Sequence, residues 1–139
     1  MDNLDPAHRS WLMARVGAKN TTPEVRVRRI AHSLGLRFRL YRADLPGSPD
    51  IVFPRWKIVL FVHGCFWHRH SGCRKATMPK TNPDFWRAKF SRNIQRDMEV
   101  CHALRGLGWR IEIIWECEAK SDDQIRSRLL KIFGFALTE

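Results

Sequence analysis

Five consecutive apolar residues, Ile58-Val59-Leu60-Phe61-Val62, run directly into His63-Gly64-Cys65-Phe66-Trp67-His68-Arg69-His70. A short segment apolar at every position, with a turn at Pro54-Arg55 before it, reads as a central strand covered on both faces. Such a strand needs other strands beside it and helices over it. The block rich in histidine, cysteine and aromatic residues must then emerge at one edge of a layered α/β domain. With 139 residues the chain fits one domain, 1–139, and is too short for two.

The flanking segments supply those layers. Thr22-Pro23-Glu24 opens a helix with Thr22 as its cap and Pro23 in its first turn; Val27, Ile30, Ala31 and Leu34 form its apolar stripe, and Gly35 stops it. Extended segments are expected over 38–42, 50–53 and 57–62. Leu45-Pro46-Gly47-Ser48-Pro49 separates the first two. Asn82-Pro83 caps a long helix reaching about residue 105, with Phe90, Ile94, Met98, Cys101 and Leu104 on its buried face. A strand over 109–115 follows. Ser121-Asp122-Asp123-Gln124 then has the form of a capping box before a last helix ending near residue 133. The order α-β-β-β-α-β-α implies a mixed β-sheet flanked by helices.

Charge narrows the partners. Lys and Arg number 25 against 14 Asp and Glu, a formal net charge of +11. An excess of this size points to a polyanion, because each Lys or Arg set against a phosphate releases a counterion. The plainer alternative is a soluble protein that is merely basic. An acidic lipid surface is the weaker option, since no long basic amphipathic helix is present and the longest apolar run is far short of a membrane span. Residues 1–20 mix Arg9, Arg15 and Lys19 with Trp11, Met13 and Val16, which reads as a basic arm contacting DNA, with Met13 and Arg15 among its contacts. The opening residues form no apolar signal segment, so a cytoplasmic, nucleoid-associated location is expected.

In such a compartment cysteines are metal ligands or core residues more often than disulfides. Cys65, His70 and Cys73 share one loop, and Cys117 follows a strand that could return beside it. Thiolates with one imidazole suit tetrahedral Zn²⁺, and four protein ligands would close the site and make it structural. An irregular loop with little apolar packing gains its order from such a metal. His68 lies as near as His70, and spacing does not choose between them. Catalytic zinc is disfavoured, because neither His-Glu-x-x-His nor a deaminase signature is present. Cys101 falls on a helical stripe and reads as core.

Asp50 opens one strand, and the next ends at His63. Nucleases of the restriction-endonuclease type place an Asp at the first position and an acid-x-Lys triplet on the following strand, where the carboxylates hold Mg²⁺. The triplet here is Phe61-Val62-His63, without a second acid and with histidine in place of lysine. Asp50 could still hold Mg²⁺ together with a main-chain carbonyl and water. His63 and His68, both near neutral in ordinary pKa, could act as general acid or base. Glu24 offers another carboxylate. The alternatives are a turn cap for Asp50, a satisfied strand-end histidine for His63, and a charge facing the helix dipole for Glu24.

Taken together, the motifs resemble the very short patch repair (Vsr) endonuclease family. The likeness rests on Leu45-Pro46-Gly47-x-Pro49-Asp50, on His63-Gly64-Cys65-Phe66-Trp67-His68-x-His70, on Phe85-Trp86 with Asn93-x-x-x-Asp97, and on Gly108-Trp109-Arg110 with Trp115-Glu116-Cys117. The resemblance implies a restriction-endonuclease-like fold with a structural zinc site. It also implies a Mg²⁺-dependent nick on the 5′ side of the thymine in T:G mismatches left by deaminated 5-methylcytosine. A cytosine-5 methyltransferase and mismatch-repair proteins would be its companions, and the enzyme would act as a monomer on double-stranded DNA.

The same resemblance distributes the roles. The metal-binding aspartate falls on Asp50, with Val62 giving a main-chain carbonyl to Mg²⁺. The catalytic histidine falls on His68, a second active-site histidine on His63 and an assisting glutamate on Glu24. Zinc falls to Cys65, His70, Cys73 and Cys117. The aromatic wedge that enters the duplex falls on Phe66, Trp67 and Trp86. Aromatic side chains inserted where a mismatch weakens stacking replace it and open the helix. Trp86, beside Arg87 and Lys89, reads as exposed, and Lys89 and Asn93 lie further along its face, where they could meet the mismatch or its phosphates. Two other functions fit parts of this pattern: a nuclease of the same fold with another DNA target, and a noncatalytic zinc-stabilised DNA-binding module.

Overall fold

The structure is a computed structural model that describes residues 21–137; the N-terminal arm, with Met13 and Arg15, lies outside the described residues. The elements follow the expected order. Helix α1 spans Thr22–Ser33, strand β1 Arg39–Leu40, β2 Ile51–Phe53 and β3 Ile58–His63; then come helix α2 Pro83–Gly106, strand β4 Arg110–Trp115 and helix α3 Asp122–Leu137. Short 3₁₀ turns at Pro54–Trp56 and Glu116–Glu118 follow β2 and β4. The four strands form one sheet in sequential order. β1 pairs with β2 and β2 with β3 in antiparallel fashion, while β3 and β4 run parallel. No helix among the described residues is long and apolar enough to cross a membrane.

Alternation along the strands builds two cores. Ile51, Phe53, Ile58, Leu60 and Ile114 pack with Val27 and Ile30 of α1 and Ile125, Leu129 and Phe133 of α3. Val52, Val59 and Phe61 pack on the opposite face with Leu104 of α2, Leu45 and Trp109. This mixed α/β sandwich explains why β3 is apolar at successive positions, since both of its faces are covered. The same alternation carries His63 to the α2 side, where its ring meets Phe61 and Trp115. Gly47 permits this packing. Its φ is +73°, and a Cβ there would meet a Val100 methyl at 2.6 Å.

Several local expectations shift. Thr21, not Thr22, caps α1, its hydroxyl accepting from the Glu24 amide at 3.4 Å. Asn82 precedes α2 in a left-handed conformation and makes no side-chain cap. The first extended segment narrows to two residues, and α3 continues past residue 133. The α2 stripe changes most. Phe90 and Leu104 are buried, but Ile94 and Met98 are exposed, Met98 by 63%, and Cys101 is half-buried. Asn93 and Asp97 are half-buried in mid-helix. The middle of the inward face is polar because it covers a polar site.

Candidate active site

The parallel pairing of β3 and β4 sets His63 opposite Trp115, so both strands end on one edge. His63 is 7% exposed. The ring of His68, from the loop beyond β3, lies on its face with centroids 3.7 Å apart and planes 5° from parallel. His68 Nδ1 donates to Asp97 Oδ2 of α2 at 2.7 Å. A carboxylate only accepts, so Nδ1 carries the bridging proton, and in the uncharged ring Nε2 is then the acceptor. Nitrogen, nitrogen and carboxylate atoms of these three residues lie within 4.8 Å of one another. Parallel rings nevertheless hold their in-plane lone pairs in separate planes, which do not converge on one ion. The cluster can orient an imidazole and its proton. Asp97 ends the Asn93-x-x-x-Asp97 motif, and its distance along the chain from His68 hides the pairing in the sequence.

Burial and the neighbouring charge of His68 push the His63 imidazole down to about 3. The expectation that both histidines titrate near neutrality therefore fails for His63. Its ring stays uncharged and serves as the surface on which His68 rests.

Asp50 stands just before β2 and accepts at Oδ2 from the Val62 amide at 2.8 Å. This bond ties the carboxylate to β3 beside His63. Burial pushes the Asp50 carboxyl up to about 7, a shift opposed by the Val62 amide and increased by the charge of Glu24. A half-buried acid next to a second acid is a group that a hard cation would return to its charged form, so the donors fit Mg²⁺. Glu24 is 2% exposed. Its Oε2 accepts from the Tyr41 hydroxyl and, at 3.3 Å, from an Arg28 nitrogen.

Next to these groups, single donor atoms of Cys65, His70, Cys73 and Cys117 lie within 4.8 Å of one another. Edges of a tetrahedron with metal–sulfur bonds of about 2.3 Å are ~3.8 Å long, so the set is the right size for Zn²⁺. The choice between the loop histidines is made geometrically. His70 joins the thiols, with Nδ1 at 3.4 Å from Cys117 Sγ, while His68 turns towards Asp97. Trp115 stacks on His70, centroids 4.2 Å apart, and the Cys65 amide donates to Glu116 Oε1 at 3.0 Å. Burial pushes the Cys65 thiol up to about 12, whereas the Lys75 amide brings Cys73 down to about 7. A dication would make thiolates of both.

The aromatic residues form a third cluster. Phe66, Trp67, Phe85, Trp86 and Phe90 pack together apart from the two main cores. Trp86 is 2% exposed, contrary to the exposed position expected of it. It lies under Phe66 and Trp67, with ring centroids at 5.6 Å from each, because the loop folds over the first turn of α2. Phe66 and Trp67 are half-buried. Asn93 donates its amide to the Trp67 carbonyl at 3.2 Å, and Lys89 is half-buried on the same helix. Arg69 pins the loop with bonds to the carbonyls of Phe66, Ala76 and Thr77, and its guanidinium lies 4.0 Å from the Phe90 ring centre.

Residues 1–75 match the family model described as DNA mismatch endonuclease Vsr. The chain is 50% identical over 131 residues to the Type II nicking enzyme V.XorIIP of Xanthomonas oryzae pv. oryzae, covering 94% of this chain and 96% of the relative. It is 39% identical over 131 residues to the Type II nicking enzyme V.NmeAIP of Neisseria meningitidis, covering 94% and 93% of the two chains. It is also 37% identical over 129 residues to the DNA mismatch endonuclease Vsr of Escherichia coli, covering 93% and 82%.

Proposed function

The chain belongs to the Vsr family of DNA mismatch endonucleases, and from that premise we propose that it nicks one DNA strand on the 5′ side of the thymine in T:G mismatches, using Mg²⁺. As a member of that family it is an endonuclease, a hydrolase acting on DNA. The observation that carries the finer reading is the meeting of a half-buried Asp50 with the Asp97–His68 pair at one sheet edge. A module that only binds DNA has no use for an oriented imidazole beside a half-buried carboxylate.

His68 is the general base in this reading. Asp97 holds the Nδ1 proton, which leaves Nε2 to take the proton of the attacking water. His63 keeps the imidazole in place without competing for that proton. Asp50 and the Val62 carbonyl would hold Mg²⁺, which when bound orients the water and offsets the charge developing on the phosphate. Glu24 assists from α1. Cys65, His70, Cys73 and Cys117 would hold a structural Zn²⁺ that fixes the loop between His63 and Cys73. The whole chain acts as a single restriction-endonuclease-like domain whose basic arm, with Met13 and Arg15, contacts the duplex.

Phe66 and Trp67 form the wedge that replaces stacking at the mismatch. Trp86 lies beneath them as their support and enters the duplex once the cluster opens. Lys89 and Asn93 face the same part of the DNA. Deaminated 5-methylcytosine is the source of such mismatches, with a cytosine-5 methyltransferase as the companion activity.

The test is incubation with Mg²⁺ and labelled duplexes carrying each mismatch in varied sequence. Nicking confined to the T strand of T:G duplexes is the expected result. Nicking of fully paired or branched DNA at equal rate would make this a nuclease of another target, and binding without nicking would leave only a DNA-binding module.

A further inference from the structure

Glu24 of α1 and Asp50 at the start of β2 are both hydrogen-bonded to Tyr41, and the charge of Glu24 adds to the rise of the Asp50 carboxyl. Two carboxylates set together with little water around them repel unless a cation or donor lies between them. Two further residues meet this need. Arg28, one turn along α1 from Glu24, donates from one nitrogen to Glu24 Oε2 at 3.3 Å and to the Tyr41 hydroxyl at 3.1 Å. Its positive charge also reaches Asp50 and opposes the effect of Glu24 there.

Tyr41 makes the second link. Its hydroxyl donates to Glu24 Oε2, and its backbone amide donates to the Asp50 carbonyl at 3.4 Å. One residue thus joins both acids, by its side chain to one and by its main chain to the other. The backbone of Tyr41 has a φ of +49°, in the left-handed region that is strained for a bulky residue. Such a conformation persists where the surroundings over-determine it, and here both ends of the residue are held. Arg28 lies 5.7 Å from the centre of the Tyr41 ring and completes the cluster.

We propose that Arg28 and Tyr41 are positioning residues of the nicking centre: Tyr41 fixes the separation of Glu24 and Asp50, and Arg28 is the resident positive charge that keeps the two carboxylates together before a divalent cation binds. This rests on the reading of Asp50 and Glu24 as the Mg²⁺-binding side of the site. The two residues act differently. Without the tyrosine hydroxyl, Glu24 is no longer held in register with Asp50, and the site is poorly shaped for the ion. Without the arginine, the acids lose their built-in counter-charge, and an added divalent cation takes over its stabilising work.

The experiment compares melting temperature with and without Mg²⁺, in the absence of DNA, and the Mg²⁺ concentration giving half-maximal nicking. The proteins are the wild type, Tyr41→Phe, Arg28→Met and Arg28→Lys. In Tyr41→Phe the half-saturating Mg²⁺ should rise about tenfold, with KM for DNA unchanged. In Arg28→Met the rise in melting temperature on adding Mg²⁺ should be about twice that of the wild type, and Arg28→Lys, which keeps the charge, should restore the wild-type response. A role in folding alone would lower every melting temperature equally in both conditions and leave the half-saturating Mg²⁺ unchanged. That result, in a wild type that responds to Mg²⁺, overturns the proposal alone. A wild type with no Mg²⁺ response overturns the acidic-pair reading and the proposal with it. Should Arg28→Met fail to fold in either condition, the tenfold shift in Tyr41→Phe decides, and its absence overturns the proposal.

Discussion

The rings of His63 and His68 lie face to face, 3.7 Å apart and 5° from parallel, so the imidazole proposed as general base rests on one whose own titration is pushed far below the usual histidine range. The other constraint on His68 is Asp97. Asp97→Asn replaces an acceptor by a group that can also donate, and lets the imidazole take the wrong tautomer. Single-turnover nicking should fall by about 10²- to 10⁴-fold with DNA affinity retained. An unchanged rate would remove Asp97 from the relay.

His63→Phe keeps the stacked surface and removes the titrating group. In the folded protein the imidazole is held down to about 3, against an unfolded value of 6.5. Between those values the unfolded chain binds a proton that the native state refuses, so this residue's contribution to stability is full above about pH 6.5 and is lost as pH falls towards 3. Urea denaturation at pH 7.5 and pH 5 should show a smaller acid loss in His63→Phe than in the wild type. Equal losses would contradict the uncharged state of His63.

Asp50→Asn should abolish nicking while raising the stability of the metal-free protein at alkaline pH. The folded carboxyl lies near 7 and the unfolded one at 3.8. The native state therefore holds a proton that the unfolded chain gives up as pH rises through this interval, and stability declines until about pH 7. Linkage sets an upper bound of about 4 kcal/mol on the gain at pH 8, and the gain vanishes near pH 4. Melting curves at both pH values in a chelator are the measurement. A variant less stable than wild type at pH 8 would mean that the Val62 hydrogen bond outweighs the cost of burial.

Cys117→Ser removes the one thiol supplied from the turn after β4, the other three donors lying on the loop after β3. Zinc content should drop from one equivalent towards zero, and the melting temperature should fall by ten degrees or more, on the order of 3 kcal/mol. Full zinc occupancy with unaltered melting would dispose of the structural site.

The aromatic cluster separates two kinds of tryptophan. Trp67→Ala should reduce the preference for mismatched over paired DNA about tenfold with little change in stability, since Trp67 is half-buried. Trp86→Ala should cost about 3 kcal/mol of folding stability, because its ring is enclosed by Phe66, Trp67, Phe85 and Phe90. Equal loss of stability in the two variants would mean that the cluster has no open side.

Elements with strong periodicity or clear punctuation were legible in the sequence. The apolar run of β3 announced a two-sided core, and Gly35 and Pro83 marked helix ends to within a residue or two. The cluster of Cys65, His70, Cys73 and Cys117, which could hold a metal ion, was legible as a set, though telling His68 from His70 needed space rather than spacing. What stayed hidden were relations between distant segments. Asp97 interrupts a helical stripe that reads as apolar, and only the docking of α2 over the sheet edge turns it towards His68. For the same reason Ile94 and Met98 were assigned to the core, since a stripe predicts a direction but not what lies opposite it. Trp86 reads as exposed among charged neighbours until the loop from β3 folds back over it. Tyr41 gave no signal, because its part depends on a left-handed turn and two partners on other elements.

The parallel pairing of β3 with β4 also governs when the enzyme comes into being. The Cys65 amide reaches Glu116 across 51 positions, and His70 reaches Cys117 across 47. Neither link exists on a ribosome-bound chain until the fourth strand has left the exit tunnel and the long α2 crossover has closed, and contacts of such separation form late. For most of its synthesis the chain is a basic polypeptide that attracts DNA without the means to cut it. Scission is thereby deferred to the completed molecule, with its loop clasped and its histidine aligned.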